Sequence, residues 1–260
     1  MTCAPTALVA TMFGDRAFAL ARLNATLFVR EPGPLIGRVV MPIVLITIMR
    51  PLYAAAFGAS AGTEQAVAGI LVTFSLLGMS IVGSAVLVER AWHTADRLRS
   101  SPATAADLLI GKAAPTLALL VVQQAVILGY GRLALGLRLT SPMLVAATVL
   151  VWAVVLLCIG GLLGTLARSG SGLSAMVDIG SLLCTGLGGA FVPLSLLPGW
   201  AHTIAPTSPG YWAMRAMRAA MTGDTVGAAT GWLALAGFAA LAVCAAAVRL
   251  RRGWGRGGSL

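Results

Sequence analysis

The sequence predicts an all-α membrane protein of six transmembrane helices, with an amphipathic interfacial helix before the first and a re-entrant helical hairpin before the last. Three observations carry that prediction. The chain of 260 residues is 58% hydrophobic and 10% charged, with a mean hydropathy of +0.93, whereas soluble domains are about a quarter charged. Its apolar residues fall into runs of the roughly 20 residues that cross a bilayer as a helix. Its charges gather in the short stretches between those runs.

The net charge of +10, from 18 Lys+Arg against 8 Asp+Glu, raises nucleic acid as a partner. The basic residues form no single patch, however; they stand alone or in small groups between apolar segments. Anionic lipid head groups and the positive-inside bias explain the excess better. Cys3, Cys158, Cys184 and Cys244 have no CxxC spacing, and three of them lie inside apolar runs. They read as small buried hydrophobes, neither disulfide partners nor metal ligands. His93 and His202 lie far apart with no second ligand type nearby, so no metal site is expected. Residues 1–11 lack the basic region and cleavage site of a signal peptide.

Taken in order, residues 14–30 read as the amphipathic helix: Leu20, Leu23 and Leu27 share a face opposite Asp15, Arg22 and Thr26. The segment is too short and too charged to span, which suits the head-group layer. Pro32 and Pro34 then break the chain before the membrane. The six spans are expected at about 35–57, 66–88, 113–135, 143–166, 174–192 and 228–248. Residues 1–34 thus form a cytoplasmic connecting segment, 35–250 the transmembrane domain and 251–260 a basic tail. The link 193–227 differs from the others, being long, semi-polar and rich in Pro, Trp and Gly. Pro193, Pro198, Trp200, Pro209 and Tyr211 mix helix breakers with interface aromatics, and a short hairpin dipping into the outer leaflet is expected there.

Orientation follows from the basic residues at the span ends. With the amino terminus inside, 12 Lys and Arg fall on the cytoplasmic side and 4 on the outer side, which places both termini in the cytoplasm. Arg38 and Arg50 remain within the first apolar run. Arg38 is expected to snorkel, and Arg50, about 18 Å further along a helix, either snorkels outward or faces a substrate cavity. Asp178 is the one acid inside an expected span. Near the cytoplasmic start of the fifth, it reads as a snorkelling or capping residue, with a place on a translocation path as the functional alternative.

No HExxH, GxSxG or paired-acid motif occurs within the spans, so no catalytic residue is expected. Gly111-Lys112 resembles the end of a phosphate-binding loop, but the earlier glycine is missing and Ala113 replaces the Ser/Thr that would bind magnesium. Any active transport must therefore use energy from another chain. The stretch 89–112 is the densest charged segment, with Glu89, Arg90, Asp96, Arg97, Arg99, Asp107 and Lys112 fixed between two spans. Trp92, Ala95, Leu98 and Arg99 can share a helix face. Ser101-Pro102 stops that helix, and Thr104 to Asp107 reads as the cap of a second one. A solvated loop and a docking element are both consistent with the spacing.

These residues resemble a known family, the ABC-2 type transporter permeases, which are membrane subunits of bacterial ABC exporters, including those of the daunorubicin/doxorubicin-resistance kind. The resemblance rests on Glu89, on Arg97-Leu98-Arg99-Ser100-Ser101-Pro102 and on Leu108-Leu109-Ile110-Gly111-Lys112. It continues through Gly189, Pro193, Leu197-Pro198, Ser208-Pro209, Tyr211 and Arg218, and so covers about 15–250. One departure is His93-Thr94-Ala95-Asp96 where the family has Gly-Thr-Leu-Glu.

The resemblance implies a permease dimer, of two copies or with a sister subunit, in the bacterial cytoplasmic membrane. A separately encoded ATPase, in two copies and holding the ATP and Mg2+ that this chain does not bind, would dock on Glu89, Arg90, Trp92, Asp96, Arg97, Leu98, Arg99 and Pro102. Residues 193–227 would help form the outer gate, and Arg50 and Asp178 are candidates for the path. The cargo implied is a drug or antibiotic, as in multidrug efflux, a lipid or a lipid-linked glycan. A proton-coupled secondary carrier and a non-transporting membrane scaffold are the alternatives.

Overall fold

The computed structural model describes residues 32–91 and 105–253. Its described residues are helical with connecting turns, and six helical segments are long and apolar enough to cross a membrane: Ile36–Phe57, Ala59–Val88, Ala113–Leu135, Pro142–Leu166, Gly170–Leu187 and Thr225–Arg249. The six expected spans are therefore present, with two displaced boundaries that matter below. The amphipathic helix expected at 14–30 and the tail from 254 lie outside the described residues.

Helix α1 (Pro32–Phe57) continues through Pro42 and Pro51. Gly58, at a φ of 85°, turns the chain directly into α2 (Ala59–Leu77). That left-handed conformation is open to glycine at little cost. The expected link 58–65 is thus essentially one residue, and Glu64 and Gln65 belong to a helix. Gly62 lets the two helices approach, since a Cβ there would meet the backbone of Tyr53 and Ala54.

The second span is interrupted at Gly78 and resumes as α3 (Met79–Ala91). The Phe74 carbonyl at the break accepts from the Gly78 amide at 3.1 Å and from Gln123 Nε2 at 3.3 Å. A side chain inserted beside a glycine is a recognised cause of helix breaks. Arg38 does more than reach for the head groups, because its Nη2 donates to Ser80 just past the break at 2.9 Å.

Helix α4 (Ala105–Leu135) begins where the capping pattern places a helix start, but it runs unbroken through Pro115 into the third span. The separate short helix expected there is its first turns, because nothing between Leu108 and Ala114 breaks a helix and a proline deprives it of one amide only. Helix α5 (Pro142–Leu166) returns across the membrane, with Trp152 fully buried and donating to Ser75 Oγ at 2.7 Å. It packs closely on α3: a Cβ on Gly160 or Gly164 would meet Met79, Val82, Gly83 or Val86. In lipid the drive to pack helices is close contact, so small residues four apart mark such seams.

Helix α6 (Gly170–Leu187) starts four residues before the expected span and stops five before its expected end. The Ser169 side chain caps it by accepting from the Gly172 amide at 3.1 Å. At its far end Gly188 and Gly189, the latter at a φ of 73°, turn the chain away. Two single turns flank the six-residue α7 (Gly199–Ile204), and α8 (Pro209–Thr222) follows, capped by Ser208. Helix α8 buries Ala213, Met214, Met217, Ala220 and Met221 and packs against α2, α5, α6 and α9. Asp224 caps the last span, α9 (Thr225–Gly253), by accepting from the Gly227 amide at 2.9 Å.

Replacing Gly164 by leucine drives a side chain into Gly83 and Val86 and should destabilise the fold by about 1–3 kcal/mol. Thermal melting of the purified protein checks this. An unchanged midpoint would show that the α3–α5 seam is not close-packed.

Candidate functional site

When α6 ends at Leu187, the carbonyls that follow lose their helical partners, and residues 188–190 are buried away from water. Neighbouring side chains supply the missing donors. Gln65, 3% exposed, reaches from α2 and donates through Nε2 to the carbonyls of Gly189 and Ala190, both at 3.0 Å. Tyr53 donates from α1 to the Phe191 carbonyl at 2.6 Å. Gly69, lacking a side chain, lets α2 lie directly against the Ala190 carbonyl. Ser208 donates to the Cys184 carbonyl at 3.3 Å and also caps α8, which ties that helix to the end of α6. The turn 188–193 is thus clamped by spans 1 and 2 on one side and by α8 on the other.

Beside the clamp lies a cavity of about 680 Å³. Its walls include Phe57, Glu64 and Gln65 from the first two spans, Pro193 from the turn, and Tyr211 and Arg218 from α8. Tyr211 meets the Trp212 ring edge-on with centroids 5.1 Å apart, and the Arg215 guanidinium lies 5.5 Å from the Trp212 centroid. Burial lowers the pKa of Arg218 and the nearby charge of Glu64 works the other way; an arginine stays charged throughout.

Of the residues expected at the outer gate, Pro193 and Tyr211 are brought together at this cavity. Pro198 is the residue before α7, and Pro209 is the first residue of α8, the position that favours proline. Trp200 is 62% exposed on α7 and points away from the packed core. Arg50 donates to Thr63 Oγ1 at 3.2 Å and is not among the cavity's lining residues.

Asp178 lies deeper than expected. Because α6 begins at Gly170, it is the ninth of 18 residues, about 12 Å into the helix. It is exposed on the face that carries Ile179 and Leu182, with the core-facing row Leu173, Val177, Ser181 and Thr185 turned away from it.

Glu89 and Arg90 close α3, with their side chains outside the described residues. Trp92, Asp96, Arg97, Leu98, Arg99 and Pro102 lie outside the described residues altogether. The described end of α3 at Ala91 and the start of α4 at Ala105 lie at the opposite end of the spans from the cavity. Gln65, Tyr53, Glu64 and Arg215 escaped the sequence reading. The available signal was the pair Arg215 and Arg218, one helical turn apart beside the aromatic Tyr211-Trp212.

The fold defines a multi-pass helical membrane protein with a clamped turn at one end of its spans. A family model described as ABC-2 type transporter matches residues 16–222. The chain belongs to the ABC-2 type transporter family, whose members are membrane components of ABC-type permeases and normally work with an ABC ATPase. A search of curated proteins found none that matches.

Replacing Gln65 by leucine leaves two carbonyls without donors, each worth about 1–3 kcal/mol where buried. The expected result is a lower melting midpoint and faster amide exchange at 188–192. Tyr53→Phe should show the same pattern to a smaller degree. Exchange at 188–192 no faster than in the parent protein would rule out the clamp.

Proposed function

We propose that this chain is the permease subunit of an ATP-driven exporter that moves a hydrophobic or amphipathic substrate outward across the cytoplasmic membrane. Membership of the ABC-2 type transporter family is the observation that carries this reading. The cargo classes are a drug or antibiotic, a lipid, or a lipid-linked glycan. A separately encoded ATPase, two copies per complex, binds ATP and Mg2+ and docks on the segment 89–112, with Arg97 and Arg99 among its contacts.

The layout of span 2 supports a route for that push. Its inner part, α3, leads into the docking segment, and its outer part, α2, holds the turn 188–193 through Gln65. The break at Gly78 lies between them. Movement of α3 at the cytoplasmic end is therefore transmitted to the clamp with Gly78 as the pivot. The hairpin 193–227 acts as the outer gate.

Asp178 supports a dimer. A carboxylate facing lipid at mid-depth costs roughly 2.5–3.5 kcal/mol. The exposed α6 face is turned instead to a second permease, itself or a sister subunit, or to the water-filled path between the two. The cytoplasmic excess of Lys and Arg supports both termini inside. The depth of Asp178 also favours a second reading, a proton-coupled carrier.

Charge reversal separates the two readings. Arg97→Glu with Arg99→Glu should release the ATPase from the purified complex and abolish vanadate-sensitive transport, while the permease melts as before. Asp178→Asn should leave the ATPase bound. Transport that persists without an ATPase and collapses with the proton gradient would establish the carrier instead.

A further inference from the structure

Three groups in the cavity beside α8 serve neither the clamp nor the α9 cap. Arg215 and Arg218 stand one turn apart on α8 and both line the cavity. Among the described residues neither guanidinium makes a hydrogen bond or a close ion pair; Arg215 rests on the Trp212 ring, and Arg218 meets Glu64 only through space. The third group is the Glu64 carboxylate, which lines the same cavity and accepts only a 3.3 Å bond from Ser60, at Oε1.

The guanidinium fork matches the oxygens of a phosphate, and two forks one turn apart repel each other until an anion lies between them. A carboxylate in the same cavity calls for a donor. A ligand that meets both needs a phosphate and, beside it, a hydroxyl or an ammonium hydrogen. The charge of Glu64 favours the ammonium form.

The cavity's place narrows the source. It lies where α1 ends at Phe57 and α9 begins beside Asp224, which is the depth of lipid head groups. Phe57 and Leu194 add apolar wall that a soluble phosphate ester would not need. A volume of about 680 Å³ is ample for a small ligand.

We propose that this cavity binds the head group of a membrane phospholipid, with the phosphate between Arg215 and Arg218 and the donor of the head group on the Glu64 carboxylate. The site is independent of the export reading, since occupancy is read without transport or ATPase.

The test is native mass spectrometry and thermal melting of the full chain, titrated with short-chain phosphatidylethanolamine, phosphatidylglycerol, phosphatidylcholine and inorganic phosphate. The first two should bind as one molecule per chain and raise the melting midpoint. Phosphatidylcholine, whose head group has no donor, should bind several-fold more weakly. Arg215→Gln with Arg218→Gln should weaken binding by about tenfold or more, the scale of a lost charge-assisted pair, whereas Arg138→Gln, an exposed arginine in the α4–α5 link, should not. Arg215 is exposed and contacts the Trp212 ring, so Arg215→Gln alone should give a smaller loss with an unchanged melting midpoint in the absence of lipid. Equal binding by the double variant and its parent, or equal loss in Arg138→Gln, would overturn the site. Phosphatidylcholine bound as tightly as the others would overturn the role of Glu64. Inorganic phosphate competing at equal concentration would overturn the lipid as its source.

Discussion

The amide of Gln65 is the contact on which the clamped end of this molecule depends. Where α6 stops, the backbone must find donors without the help of water, and one buried side chain satisfies two successive carbonyls. The bond is possible because Gly58 starts α2 early enough to bring Gln65 to that depth, and because Gly69 removes the side chain that would hold the turn away. From the clamp the rest follows in order. The turn at Gly189 directs the chain toward α8, Ser208 fastens α8 to Cys184, and the methionine face of α8 closes over α5 and α9. The cavity is the space left between these fixed parts.

The same span shows how a membrane helix accommodates polarity without exposing it. Ser75 receives the Trp152 indole, and the Phe74 carbonyl receives Gln123, so the interruption at Gly78 is supported from α4 and α5. Each hydrogen bond is modest in isolation, about 1 kcal/mol. In lipid the alternative is an unpaired group, which makes these contacts specific to one arrangement of helices. Glycines at the α3–α5 seam supply the close approach that apolar surface alone does not drive between helices in lipid.

Much of the architecture was legible in the sequence, because bilayer thickness imposes a length on every apolar run. The spans from 113 and 143 were found within a residue of their ends. The errors cluster at glycines. Polarity assigns Gly58 to a link, whereas it is a turn by itself, and assigns Gly170 to a loop, whereas Ser169 caps a helix there. Both errors have one cause: local polarity suggests a loop, while a cap or a left-handed glycine costs one residue and lets the helix continue through polar sequence.

The candidate site was half legible. Pro193, Tyr211 and Arg218 stood out as breakers, aromatics and charge in an apolar chain. Gln65 did not, because nothing local distinguishes an amide at a span's edge from one that clamps a turn more than a hundred residues away. By itself the sequence determined the number of spans, the charged connection after the second and the absence of a nucleotide-binding loop, since these depend on composition and local spacing. Only the tertiary structure decided the depth of Asp178, the pairing of Gln65 with the α6 terminus and the cavity between two arginines and a glutamate. Those depend on where helices start and which faces meet, and the requirement that every buried backbone group find a partner acts only once the helices are packed.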